Sequence, residues 1–299
     1  MRYTLRQLQV FLATAHHKNI TKAAESLAMS QSAASGALKD LEKQFNIQLF
    51  DRVGKRLQTN ELGERLRAKA ESLMAQAHEL EHALSGHLTP GNLKVGATLT
   101  IGNYLCLDLI YRYRQHTPNA QISLEVANTE KIAEEILNFD IDVGLIEGEF
   151  YHPDIDIIPW KQDTLTAFCH PSNPLAGKRL SATDLHHAPW ILREPGSGTR
   201  QAFDRAMAGI GSELNIVLEL QHTEAIKNAV EKDLGISCLS EITLRDDFKR
   251  GTLVPIEIPN RNFDRSFYFL IHKQKYKSAG ILKWMELCEI GQKTALHKQ

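Results

Sequence analysis

From Asn19 to Phe45 the chain reads NITKAAESLAMSQSAASGALKDLEKQF, and at helical period this resolves into two helices. Ala23, Ala24 and Leu27 face one way on the first, and Ala34, Leu38, Leu41 and Phe45 on the second. Between them lies only Ala28-Met29-Ser30, so the helices must cross steeply. Such a crossing requires small residues, here Ala23, Ala24, Ala33 and Ala34. The second helix opens with Ser30 as a natural N-cap, followed by Gln31, Ser32 and, one turn on, Ser35. Free backbone amides at that end suit a phosphate, and short polar side chains suit base edges in a major groove. This is a helix-turn-helix, and the alternative of a plain helical hairpin in a core is disfavoured by its surroundings.

Charge is distributed to match. The formal net charge is −1, but residues 1–60 carry nine Lys/Arg against four Asp/Glu, a balance of +5, so the remainder carries −6. A basic module on a slightly acidic body is the footprint of DNA binding attached to something else. Cys106, Cys169, Cys238 and Cys288 are scattered among apolar neighbours, with neither metal-ligand nor redox spacing, and read as buried thiols in a reducing compartment. No secretory h-region or membrane-length apolar run occurs, so a cytoplasmic location without membrane association is expected.

In chain order, Thr4 caps a first helix to His17 with Leu5, Leu8, Phe11, Leu12 and Ala15 on one face. Residues 47–59, with Arg52, Lys55 and Arg56 around Gly54, read as a basic β-hairpin, a wing for phosphates or a minor groove. From Asn60 to about Leu88, Leu62, Leu66, Leu73, Ala77, Leu80 and Leu84 form one apolar stripe on a helix spanning roughly 40 Å. Such a stripe needs a partner helix, so this segment is read as a linker that dimerises. Thr89-Pro90-Gly91-Asn92 ends it as a hinge. The organisation expected is residues 1–59 as a winged helix-turn-helix, 60–90 as linker helix and hinge, and 91–299 as a further domain.

Beyond the hinge, strands alternate with helices. Strands are expected at 93–97, 122–126, 141–146, 164–170, 189–193, 215–220, 235–239, 253–258 and 267–272, which argues for parallel sheets. Helices are expected at 105–116, 130–138, 200–208, 224–232 and about 278–292. The length exceeds one comfortable sheet, so two α/β lobes are expected, lobe I at about 91–163 and 267–299 and lobe II at about 164–266.

LRQLQVFLATAHHKNITKAAESLAMSQSAASGALKDLEKQFNIQLFDRVGKRLQTNELGERL resembles the DNA-binding domain of LysR-type transcriptional regulators. LKVGATLTIGNYL, DVGLIEG, APWILREPGSGTR and EAIKNAVEKDLGISCLS, in that order, resemble their two-lobed periplasmic-binding-protein-like (type 2) effector domain. Within the family, TIGNYL, GLIEG and REPGSGTR are most like the YeiE-like branch, with regulators of cysteine biosynthesis and carbon fixation more distant. The resemblance implies that Gln31, Ser32 and Ser35 sit at the DNA face and Arg52 and Arg56 in the wing. Thr21, Ser30, Lys39 and Lys55 complete the candidate set. Ser32 stands where the family usually has proline, and Leu62-Gly63 where it commonly has Ala-Gly. A homodimer assembling to a homotetramer, palindromic double-stranded promoter sites, contact with RNA polymerase and a small-molecule effector are likewise implied.

A two-lobed binding domain holds its ligand at strand C-termini and helix N-termini. Thr98, Thr100, Ile101, Gly102 and Asn103 follow the first strand and open a helix. Ser197, Gly198 and Thr199 open a second and Thr223 a third. Donors from three helix N-termini suggest a small anion, either a carboxylate or an inorganic oxyanion such as sulfate or sulfite. Plain N-capping explains any one of these residues equally well. Glu147, ending IDVGLIE, would repel such an anion unless the two share a proton, as with bisulfite; an amino-acid-like ligand with an amine would also suit it, or it pairs instead with Arg193 or Arg200 and orients the cleft.

An enzyme is disfavoured. No GxxxxGK[ST] or strand-following GxGxxG exists, and the histidines lack HExxH spacing, so neither cofactor nor metal is expected. A plain solute-binding protein has no use for a basic winged helix-turn-helix. A DNA binder that ignores ligands remains the alternative within the class.

Overall fold

The computed structural model describes residues 2–54, 56–84 and 92–290. By contact density the chain forms two units, residues 1–91 with 273–280, and 92–272 with 281–299.

In the N-terminal unit, α1 (Leu5–His17) begins at a capping box formed by Thr4 and Gln7. α2 (Ile20–Ser26) begins at Asn19, whose side chain accepts from Thr21 and Lys22, and α3 (Gln31–Phe45) begins at Ser30. The turn between α2 and α3 places Ala28 at φ 52°, a left-handed conformation that the sharp crossing demands. Ala23, Ala24 and Ala34 are buried at that crossing with Leu38 and Leu41, whereas Ala33 points outward and Phe45 remains 42% exposed. β1 (Phe50–Val53) and β2 (Arg56–Thr59) form the expected antiparallel hairpin. α4 (Glu61–Leu84) follows, its first turn capped by Asn60, whose Oδ1 accepts from Gly63 N at 2.8 Å. Gly63 is required there, because a Cβ would collide with the Leu49 carbonyl. Residues 85–91, including most of the expected hinge, lie outside the described residues. Residues 273–280 cluster with this unit, with Tyr276 Oη donating to Glu79 Oε2 at 2.5 Å.

The second unit contains β3 (Leu93–Ala97), α5 (Leu99–Tyr104), α6 (Cys106–His116), β4 (Ile122–Val126), α7 (Thr129–Leu137) and β5 (Val143–Glu147). Next come β6 (Ile155–Cys169), α8 (Ala182–His187), β7 (Trp190–Arg193), α9 (Gly198–Ala206), β8 (Ile216–Leu220) and α10 (Thr223–Glu231). β9 (Ile236–Ser240), α11 (Glu241–Arg250), β10 (Val254–Ile256), β11 (Asp264–His272) and α12 (Ala279–Leu287) complete it. Strand order is β4-β3-β5-β11-β6-β9-β7-β8, with β10 beside β6.

The expectation of parallel sheets holds only in part. β3 pairs parallel with β4 and β5, and β7 with β8 and β9, but β11 runs antiparallel to β5 and β6, and β6 antiparallel to β9. The reason lies in β6. Its first part pairs with β11 over Ile155–Thr164, and its last part, Leu165–Phe168, pairs with β9. The chain thus passes between two lobes on long shared strands. A bulge in the β6–β11 pairing leaves Trp160 out of register beside Pro159, which has no N–H to give a ladder. One lobe packs apolar clusters around Trp284 and around Ile132 on the two faces of its sheet. The other does so around Trp190 and around Phe168. Here these are called lobe I (β3, β4, β5 and their helices) and lobe II (β7, β8, β9 and theirs). The helix expected over 105–116 is α6, and the polar turn expected before it is instead a separate short helix, α5, so helix starts directly after β3. Among the described residues no helix is long and apolar enough to cross a membrane.

Candidate functional site

On the N-terminal unit, Gln31, Ser32 and Lys39 are exposed along α3 and Ser35 is half-buried. Ser30 caps the helix by accepting from Ala33 N at 3.2 Å, and its hydroxyl also lies 3.0 Å from that of Ser32. Serine in place of the usual proline therefore joins the cap. Thr21, Arg52 and Arg56 are exposed and share one polar hollow with Asn19 and Gly54, so the start of α2 and the wing face a common space. Leu57 N donating to Lys18 O at 3.0 Å fixes the wing against the α1–α2 turn. Gly54 supplies the φ of +63° that the wing turn needs. Lys55 lies outside the described residues.

In the second unit, the donors expected to receive an anion converge on Glu147. Its Oε1 accepts from Thr98 Oγ1 at 3.0 Å and Thr100 N at 2.7 Å, and its Oε2 from Thr199 Oγ1 at 3.1 Å. Arg265 Nη1 completes the set at 2.8 Å from Oε2 and also donates to Thr199 Oγ1 at 3.0 Å. Thr98 and Thr100 come from lobe I and Thr199 from lobe II, so one carboxylate ties both. Thr98 occupies the N-cap of α5 without capping it; its hydroxyl accepts from Glu147 N instead.

Neither Arg193 nor Arg200 pairs with Glu147, correcting the expectation from sequence. Arg193 Nε lies on Glu194 at 2.8 Å, and Arg200 bonds Asp204 and Glu219. Arg265, the residue that does pair, also holds Asp163 at 2.7 Å, and Asp163 in turn accepts from Ser240 at 2.7 Å. Burial alone would raise the Glu147 pKa. The Arg265 charge, the Thr100 hydrogen bonds and the more distant Arg193 outweigh it and hold the carboxyl below its ordinary value.

Other expected residues serve different ends. Ile101 is fully buried in the lobe I core, and Gly102 lets α5 approach Val126, where a Cβ would crowd that side chain. Asn103 is exposed. Ser197 caps α9 by accepting from Thr199 N at 3.2 Å. Gly198 lies so close to Glu147 that a Cβ would collide with the Glu147 carbonyl. Thr223 is buried at the start of α10 and is not among the donors to Glu147. Beside Gly198 opens an interlobe cavity of about 420 Å³ lined by Thr129, Glu130, Phe150, Gly196, Ser197 and Arg200. Thr129 Oγ1 donates to the Glu147 carbonyl at 3.1 Å on that side.

A basic winged helix-turn-helix carried with a two-lobed, strand-linked domain defines a transcription regulator with an effector-binding domain. Comparison with known proteins gives the family. Residues 5–64 match the bacterial regulatory helix-turn-helix protein, lysR family, and residues 86–291 match the LysR substrate binding domain. This chain belongs to the LysR family of transcriptional regulators. It is 40% identical to the HTH-type transcriptional regulator YeiE of Escherichia coli (strain K12), over 97% of this chain and 98% of that one. It is 32% identical to the HTH-type transcriptional regulator CysL of Bacillus subtilis (strain 168), over 88% and 89% respectively. A full-length OxyR variant from Pseudomonas aeruginosa has the same fold, with a TM-score of 0.73 at 20% identity, covering 97% of this chain and 96% of that one. These families and relatives are transcription regulators, not enzymes.

Proposed function

We propose that this regulator's promoter binding is modulated by a small anion, an inorganic oxyanion such as sulfate or sulfite or a small carboxylate, received between the lobes by Thr98, Thr100 and Thr199. Three donors from two lobes already converging on one carboxylate carry this reading, because a donor set that stabilises Glu147 suits another anion of similar shape. Ser197 and Gly198 line the cavity beside this cluster, whereas Ile101, Gly102, Asn103 and Thr223 contribute only as part of the helix starts around it. Glu147 then competes with the effector. An entering anion either shares a proton with it or displaces it from Thr100 and Thr199, and displacement loosens the tie between lobes.

On the DNA side, Thr21, Ser30, Gln31, Ser32, Ser35 and Lys39 approach the major groove, while Arg52, Lys55 and Arg56 hold phosphates. The apolar face of α4, with Leu80 and Leu84 exposed, supports pairing of two copies within residues 60–90. Two recognition helices then read palindromic half-sites about one turn apart. Exposed Leu107 and Tyr111 on α6 and Val217 and Leu218 on β8 support a second pairing, through residues 91–299, into a tetramer that bends DNA and meets RNA polymerase. Fluorescence anisotropy on promoter DNA, with and without sulfate, sulfite, phosphate and small carboxylates, tests this. An anion should shift affinity in the wild type and not in Thr100→Ala/Thr199→Ala. If every anion leaves DNA affinity unchanged, the protein binds DNA without regard to such ligands.

A further inference from the structure

Lobe I holds a second hollow that the effector cleft does not use, a recess of about 270 Å³ bounded by α5, α6, β6 and the end of α12. Its floor is apolar, formed by Leu109, Trp160 and Leu287. Four charged residues also line it: Asp108 and Arg112 on α6, Lys161 on β6 and Glu289 after α12. All four are exposed, and none forms an ion pair with any described residue. Lys161 lies over the Trp160 ring, 5.1 Å from its centroid. The Trp160 indole N–H is buried without a hydrogen-bond partner among the described residues, an uncommon state for a buried donor.

We infer that this recess is a second ligand site, taking a small zwitterion with an apolar body, of which an apolar α-amino acid is the simplest form. The apolar floor covers the body. A lone carboxylate would satisfy Arg112 and Lys161 but face Asp108 and Glu289, and a lone amine would meet the reverse conflict. A zwitterion satisfies both signs at once.

Occupancy is coupled to the lobes through Tyr104. Its side chain borders the recess, and its hydroxyl donates to Glu224 Oε1 of lobe II at 2.7 Å. Glu224 is held by Lys227 Nζ at 3.0 Å, and Lys227 is anchored on the buried Asp247 at 2.9 Å. Burial and the Glu224 contact push the phenol up to about 12, so it remains a donor at any working pH. A ligand that shifts Tyr104 therefore acts on the link to α10 without entering the cleft.

Calorimetric titration of the full-length protein with L-leucine, isovalerate and isoamylamine, which share one apolar body, tests the site. L-methionine and L-phenylalanine widen the amino-acid arm. At least one amino acid should bind, with each single-charge analogue about tenfold weaker or more. Arg112→Gln and Asp108→Asn, both on exposed residues, should each weaken it by a similar factor, and Thr100→Ala/Thr199→Ala should leave it unchanged. Glu224→Ala, outside the recess, should keep ligand binding but remove any effect of the ligand on DNA affinity. The inference is overturned if no amino acid binds at millimolar concentration, or if isovalerate binds as well as leucine. It is equally overturned if Arg112→Gln binds normally while the cleft variant does not, because the ligand then belongs to the cleft.

Discussion

Arg265 Nη1 lies 2.8 Å from Glu147 Oε2, and both side chains are almost entirely shielded from solvent. Arg265 sits on a strand shared by both lobes and Glu147 at the end of a lobe I strand, so this ion pair stands where an anionic ligand would join the lobes. The same guanidinium neutralises Asp163. Removing it leaves two buried carboxylates facing one positive charge fewer. Arg265→Met should destabilise the second unit by about 3–5 kcal/mol, the usual cost of orphaning a buried charge. Denaturant unfolding measures it, and a loss under about 1 kcal/mol would show that the pair contributes little.

Acid should weaken the same centre. The Glu147 carboxyl is held below its ordinary value of 4.5, since Arg265 and Thr100 outweigh the effect of burial. Its contribution is therefore fully present above the unfolded pKa and is lost as pH falls through the depressed folded value. The stability advantage of wild type over Glu147→Gln should be constant at neutral pH and shrink below about pH 4.5. An advantage that stays level far into the acid range would contradict the assignment.

Gly198 should resist substitution. A Cβ there meets the Glu147 carbonyl, an obstacle that is backbone rather than a flexible side chain. Gly198→Ala should cost about 1–3 kcal/mol by overpacking and should also perturb Thr199. A crystal structure of the variant with the Thr199–Glu147 contact intact and no loss of stability would refute this.

For the DNA interface, the two classes of contact separate by salt. Arg52→Ala/Arg56→Ala should reduce the slope of log affinity against log salt by about 1.8 for each bound protomer, two phosphate contacts' worth apiece. Gln31→Ala should leave the slope unchanged and narrow the difference between promoter and random DNA. Anisotropy titrations across a salt series distinguish them, and an unchanged slope in the double variant would remove the wing from the phosphates.

The helix-turn-helix is legible in the sequence because its signals are local: Thr4, Asn19 and Ser30 cap helices within a few residues of themselves. The anion-like donor set is also legible, since Thr98, Thr100 and Thr199 each follow a strand and open a helix. What they hold is not. Arg265 lies before the apolar run of 267–272, in a polar stretch that reads as turn, and Asp163 lies in a charged break before Leu165. One signal is there. Arg265 alternates in register with Phe267, Phe269 and Ile271, and Asp163 with Leu165, Ala167 and Cys169, all buried. Period-2 extension of both strands puts two opposite charges on inward positions. The bonds of Arg265 to Asp163 and Glu147 join residues more than a hundred positions apart, which no local pattern encodes. Phe45 departs from expectation for the opposite reason: its helical phase is right, but it ends α3, where the Tyr3 ring at 6.3 Å covers it only in part.

The most direct measurement is a thermal-shift series on wild type and Thr100→Ala/Thr199→Ala against sulfate, sulfite, phosphate and small carboxylates. A ligand binding only the folded protein, at about a hundred times its dissociation constant, should add about 2.7 kcal/mol. Stabilisation by one anion class in the wild type that vanishes in the double variant is the expected result. No shift with any anion, or an equal shift in both folded proteins, would contradict an anion site built on the Thr100–Thr199–Glu147 cluster.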